Sequence, residues 1–181
     1  DGTVTVYNMG LDTLRMTPAS TFKIANALIG LQTGVITDEN MLIKWDGISR
    51  SNKDWNKDLT LKEAFKVSSV PYFQEVARRI GKDTMQHWID SLSYGNQNIQ
   101  GPVDSFWLNN RLKISPDEQL GFLKKLYFDQ LPFRKTVQQA VRDMMLQEDN
   151  TLYKLSYKTG WGFDEKQQNI GWVAGWIEEN R

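Results

Sequence analysis

Residues 152–177 read LYKLSYKTGWGFDEKQQNIGWVAGWI. Two β-like runs, Leu152 to Thr159 and Ile170 to Ile177, are joined by a polar segment that suits a hairpin. Almost everything upstream reads as helix. Ser20 to Gly34 places Phe22, Ile24, Ala27, Leu28 and Leu31 at helical spacing and stops at glycine. Thr60-Leu61-Lys62-Glu63 is a capping box opening a helix to about Val67. Pro71 suits the first turn of a helix ending at Gly81, and a shorter one follows over Asp83 to Leu92. Ser115-Pro116-Asp117-Glu118 joins a capping box to a helix-starting proline and predicts a helix from Pro116 to about Phe128. A further helix is expected over Lys135 to Gln147, whereas Lys44 to Asp58 reads as irregular. Thr3 to Tyr7 (TVTVY) is β-branched and reads as a strand. Strand, helical region (about 20–147), then hairpin (about 152–178) is a segregated α+β order, not alternating βαβ. The expectation is an antiparallel sheet flanked by helices, with a helical subdomain, in a single domain over residues 1–181.

Composition narrows the chemistry. Lys+Arg and Asp+Glu both number 22, so net charge exerts no global pull toward nucleic acid or an anionic membrane. With no Cys, disulfides, thiol nucleophiles and thiolate metal sites are excluded. His87 is the single histidine, which excludes a multi-histidine metal centre and leaves one route to a Ser-His-Asp triad. No apolar run reaches the length of a transmembrane span. The chain opens on Asp1 rather than Met, which reads as a fragment or processed chain with any signal peptide upstream. Hydroxyl, amine and carboxylate groups remain.

Ser20-Thr21-Phe22-Lys23 stands at the start of the first predicted helix. Residues three apart share a helix face, so the Ser20 hydroxyl and the Lys23 amine can meet. Lysine activates serine only as a neutral amine, which requires a dry pocket. The plainer alternative is an N-cap serine with a solvated lysine. Lys158-Thr159-Gly160, followed by Trp161, offers a cation, a hydroxyl and a close-approach glycine for a carboxylate, or simply a strand end turning at glycine. Ser68-Ser69-Val70-Pro71 supplies a cap for the next helix, and Tyr94-Gly95-Asn96 reads as a turn. Trp107 reads as core with an indole N–H that wants a partner, and His87 as a structural or surface residue.

Taken in order, PASTFK (18–23), SSV (68–70), YGN (94–96), FWL (106–108), KTG (158–160) and GWVAGW (171–176) resemble the class D serine β-lactamases, the oxacillinases. IGLQTGVI and KWDG extend the likeness over nearly the whole chain.

The resemblance implies β-lactam hydrolysis, with Ser20 as nucleophile and Lys23 as general base once carboxylated by carbon dioxide, with no metal or other cofactor. Phe22, Val70 and Trp107 would form the carbamate pocket, since burial favours the neutral amine that carbon dioxide needs. Ser68 would relay a proton between Lys158 and the leaving nitrogen. Lys158, Thr159, Gly160 and Trp161 would bind substrate, with the Ser20 and Trp161 N–H groups as oxyanion hole. Tyr94, Gly95 and Asn96 would shape the cleft wall. A small-molecule β-lactam partner and export to a bacterial periplasm or beyond follow from the same likeness. The family continues with a further strand, a basic residue and a C-terminal helix, so the resemblance predicts a chain lacking terminal segments. A β-lactam sensor that is acylated without deacylating, and a penicillin-binding D,D-peptidase, share the acylation motifs. Sensors tend to carry a polar residue at the position of Val70, which separates them from this chain.

Overall fold

The computed structural model describes residue 3 and residues 5–180. One-turn helix α1 (Met9–Asp12) precedes a 3-10 turn (Ala19–Phe22) that continues directly into α2 (Lys23–Thr33). α2 is buried from Lys23 to Leu31 and stops at Gly34, whose left-handed φ of 74° suits a residue without Cβ. Two-residue strands β1 (Leu42–Ile43) and β2 (Leu59–Thr60) pair antiparallel at the ends of the polar loop. The expected capping box, with Thr60 and Glu63 bonding reciprocally, opens α3 (Leu61–Lys66). Ser69 caps α4 (Val70–Ile80), which has Pro71 in its first turn. α5 (Lys82–Ser91), α6 (Pro116–Tyr127) and α7 (Lys135–Met145) complete the helical region. α4 and α7 both pack on α2.

The sheet has order β3-β4-β5, built from β3 (Leu146–Asp149), β4 (Tyr153–Phe163) and β5 (Asn169–Glu179), all antiparallel. Lys158 stands opposite Ala174 and Gly160 opposite Trp172. Ser156, Lys158, Gly160, Ile170, Trp172 and Ala174 are the buried positions, every second residue, as a half-covered sheet requires. Trp172 Nε1–H donates to the Thr17 carbonyl at 2.9 Å and ties β5 to the segment leading into the serine turn.

The α+β order is as the sequence implied, with differences at the weaker elements. Val4 of the predicted first strand lies outside the described residues, and Thr3, Thr5, Val6 and Tyr7 carry no strand. β-propensity expresses packing on a pleated surface, and Tyr7 is 97% exposed. The last helix stops two residues early, because Leu146 turns extended and begins β3, an all-exposed strand whose sequence shows no alternation. β4 runs on to Phe163, four residues past the predicted Thr159, and uses its glycines as strand rather than turn.

Candidate active site

The 3-10 turn, the α3–α4 junction and β4 converge on two lysines. Lys23 Nζ donates to Ser20 Oγ at 2.7 Å and lies 5.8 Å from the Phe73 ring centre. The Lys23 side chain is fully buried. Burial, and secondarily the charge of Lys158, hold its amine well below the ordinary lysine value. Lys158 Nζ donates to Ser68 Oγ and to the Thr159 carbonyl, each at 3.0 Å. Burial lowers its amine to about 8. Two serine–lysine pairs therefore stand within electrostatic reach of each other, each lysine biased toward its neutral form. A neutral Lys23 can accept the Ser20 proton along the same 2.7 Å line.

The backbone around both serines is unusual. Ala19 and Ser68 hold positive φ of 47° and 53°, in the left-handed region that costs a non-glycine residue roughly 1–3 kcal/mol. Thr21 Oγ1 donates to the Pro18 carbonyl at 2.7 Å and ties the serine turn closed. Gly160 lets β4 lie against that turn, for a Cβ there would sit 3.0 Å from the Pro18 carbonyl oxygen and 3.2 Å from Thr21 N. Trp161 follows with its indole 67% exposed and bonded to Asn169.

Behind Lys23 lies an aromatic wall. Phe22 stacks on Trp107 at 5.3 Å and meets Phe106 and Tyr94 edge-on. Trp107 is fully buried, and its Nε1–H finds no acceptor among the described residues. A buried donor without partner carries a desolvation cost of about 1–3 kcal/mol. That cost marks a place shaped for an acceptor. Val70 is half-buried at the first position of α4.

Tyr94, Gly95 and Asn96 sit differently from a cleft wall. Tyr94 is 2% exposed, and its hydroxyl donates to Gln119 Oε1 at 3.1 Å, inside the core. A Cβ on Gly95 would lie 1.9 Å from the Lys113 carbonyl oxygen, so only glycine fits. Asn96 Oδ1 accepts from Lys113 N, and its amide donates to the Arg111 carbonyl. The tripeptide pins two chain segments together under the Phe22 wall. His87 is exposed on α5 against Trp88. Asn26 was absent from the sequence reading. It lies one turn beyond Lys23, is fully buried and donates to the Phe73 carbonyl at 3.1 Å. Its three-residue spacing from Lys23 inside an apolar run was the available signal.

The comparisons agree with this geometry. The family described as Penicillin binding protein transpeptidase domain matches residues 4–181. A solved structure of BPu1 β-lactamase superposes with TM-score 0.95 at 44% identity, covering all of this chain and 76% of that one. A class D β-lactamase from Nostoc superposes with TM-score 0.92 at 39% identity, covering 96% of this chain and 73% of its own. This chain belongs to the class D β-lactamases. Class D β-lactamases need neither metal nor organic cofactor. A curated relative, the probable β-lactamase YbxI of Bacillus subtilis (strain 168), is 45% identical over 173 residues. That alignment takes in 96% of this chain and 64% of the relative, so the chain spans less than two thirds of that relative's length. No helix among the described residues is long and apolar enough to cross a membrane.

Proposed function

We propose that the protein hydrolyses β-lactam antibiotics through a serine acyl-enzyme, in one serine β-lactamase-like domain over residues 1–181, after export from a bacterial cytoplasm. The observation that carries this is the fully buried Lys23 amine 2.7 Å from Ser20 Oγ.

Ser20 Oγ gives its proton toward Lys23 and attacks the lactam carbonyl, forming a C–O bond. The Ser20 and Trp161 backbone N–H groups support the negative charge on the carbonyl oxygen. The lactam C–N bond then breaks, and the leaving nitrogen takes a proton from Ser68, which Lys158 replaces across 3.0 Å. Thr159 and Lys158 hold the substrate carboxylate, and the exposed Trp161 indole offers a face to the substrate body. Carbon dioxide bound to the neutral Lys23 amine would supply a carboxylate that serves as general base. The site fits such a group. Trp107 Nε1–H is a buried donor lacking an acceptor among the described residues, the Ser20 hydroxyl is a second donor, and Phe22 and Val70 keep the surroundings apolar. Water placed at Lys23 attacks the ester and frees Ser20.

Steady-state hydrolysis of a chromogenic cephalosporin tests this. Turnover should rise with added bicarbonate and fall in mild acid. A rate indifferent to bicarbonate depletion would remove the carboxylated lysine. Acylation detected without repeated turnover would favour the sensor reading, which the apolar Val70 opposes.

A further inference from the structure

A groove of about 410 Å³ runs between the loop after β1 and helix α4, and its lining includes none of Ser20, Lys23, Ser68 or Lys158. That volume lies within the range of small-molecule pockets, about 300–1,000 Å³. Trp45, Trp55 and Tyr72 contribute rings to its walls. Their polar atoms are already engaged: Trp45 Nε1–H with the Ile48 carbonyl, Trp55 Nε1–H with Val67, and the Tyr72 hydroxyl with Met41, all at 3.0 Å. The rings therefore offer faces rather than donors.

The charges are lopsided. Asp46 and Glu75 also line the groove, but Asp46 is held by Arg50, and Glu75 is shared by Arg78 and Arg79. Lys44 and Lys57 form no salt bridge among the described residues, although the Lys57 charge reaches Glu63 through space. The groove thus combines aromatic faces with two uncommitted ammonium groups.

We infer that this groove binds a small planar aromatic anion, its ring against Trp45 and Trp55 and its negative charge answered by Lys44 and Lys57. The inference is independent of β-lactam hydrolysis, because it shares no side chain with the serine–lysine site. The probe is 2-naphthalenesulfonate, titrated into the ¹⁵N-labelled full chain while the tryptophan indole N–H signals are followed and assigned by Trp→Phe variants. The Trp45 and Trp55 signals should move saturably. Lys44→Gln together with Lys57→Gln should weaken binding about tenfold, as expected for two exposed charges. High salt should weaken it in the same direction. Equal shifts with the neutral alcohol 2-naphthalenemethanol, on the unaltered protein, would overturn the inference. So would shifts confined to Trp161 or other indoles, or no shift at all.

Discussion

Lys23 and Lys158 carry different burdens, and their variants should separate them. Lys23→Ala keeps Ser20 but loses the proposed water-activating base. We expect slow acylation followed by no release, seen as a burst of at most one product per enzyme and a stable acyl adduct by mass spectrometry. Rapid multiple turnovers by that variant would take Lys23 out of the base role. Lys158 makes a prediction about stability. Its folded value is about 8 against an ordinary 10.5, so between these the unfolded chain holds a proton that the native chain has lost. Unfolding then takes up a proton, and stability rises with pH across that window. At about 1.4 kcal/mol per pH unit, full passage is worth about 3 kcal/mol. Lys23, also lowered, acts in the same sense. The phenols of Tyr72 and Tyr94, raised by burial, act oppositely above their ordinary value of 10.0 and close the window from the alkaline side. Denaturant unfolding from about pH 7 upward should therefore show stability climbing above pH 8, with a shallower climb in Lys158→Met. A flat profile in the parent protein would mean that Lys158 is protonated alike in both states.

Among the elements, the contact of β4 with the serine turn is the most constrained. A methyl group at residue 160 would press on the Pro18 carbonyl and the Thr21 backbone. Gly160→Ala should shift the strand away from Ser20 and lower kcat/KM by about 10²-fold, as small misplacements of reacting groups do, with a fall of only a few degrees in Tm. Unchanged kcat/KM would show the strand free to move without consequence. The same glycines limited what the sequence revealed. Local chemistry announces the capping boxes at Thr60 and Ser115, the Pro71 start and the Gly34 stop, and those boundaries lie within a residue or so of expectation, whereas the start expected at Ser20 is a 3-10 turn and α2 begins at Lys23. Gly160 and Gly162 look like turn residues in one dimension. Pairing with Trp172 and Ile170 of β5 makes them strand positions, and the close approach of the Thr17–Thr21 segment suits residues without Cβ. β3 was illegible for a related reason, since its four exposed residues are held by pairing with β4 and not by any pattern of their own.

Across the whole molecule, segments far apart in the chain meet at one aromatic knot. Phe22 joins Trp107, Phe106 and Tyr94, drawing the helix start and two distant loops into one core. Phe22→Ala should cost about 3–5 kcal/mol, read from denaturant midpoints, which is a large share of ordinary domain stability. A loss under about 1 kcal/mol would mean that the knot repacks. Two side-chain pairs drawn from the ordered motifs are in contact, Ser20 with Lys23 and Ser68 with Lys158. The core placement of Tyr94 and the burial of Asn26, whose Oδ1 finds no donor among the described residues, were hidden because burial and partnering are properties of three dimensions. The seclusion of Lys23 has a consequence for reagents. Most lysines of the chain are exposed, whereas Lys23 has no exposed surface and its amine is held well below the ordinary lysine value. If Lys23 is carboxylated as proposed, girth becomes the selector among reagents: bulky amine labels would reach the exposed lysines alone, and only an electrophile of a few atoms would suit a nitrogen with no exposed surface.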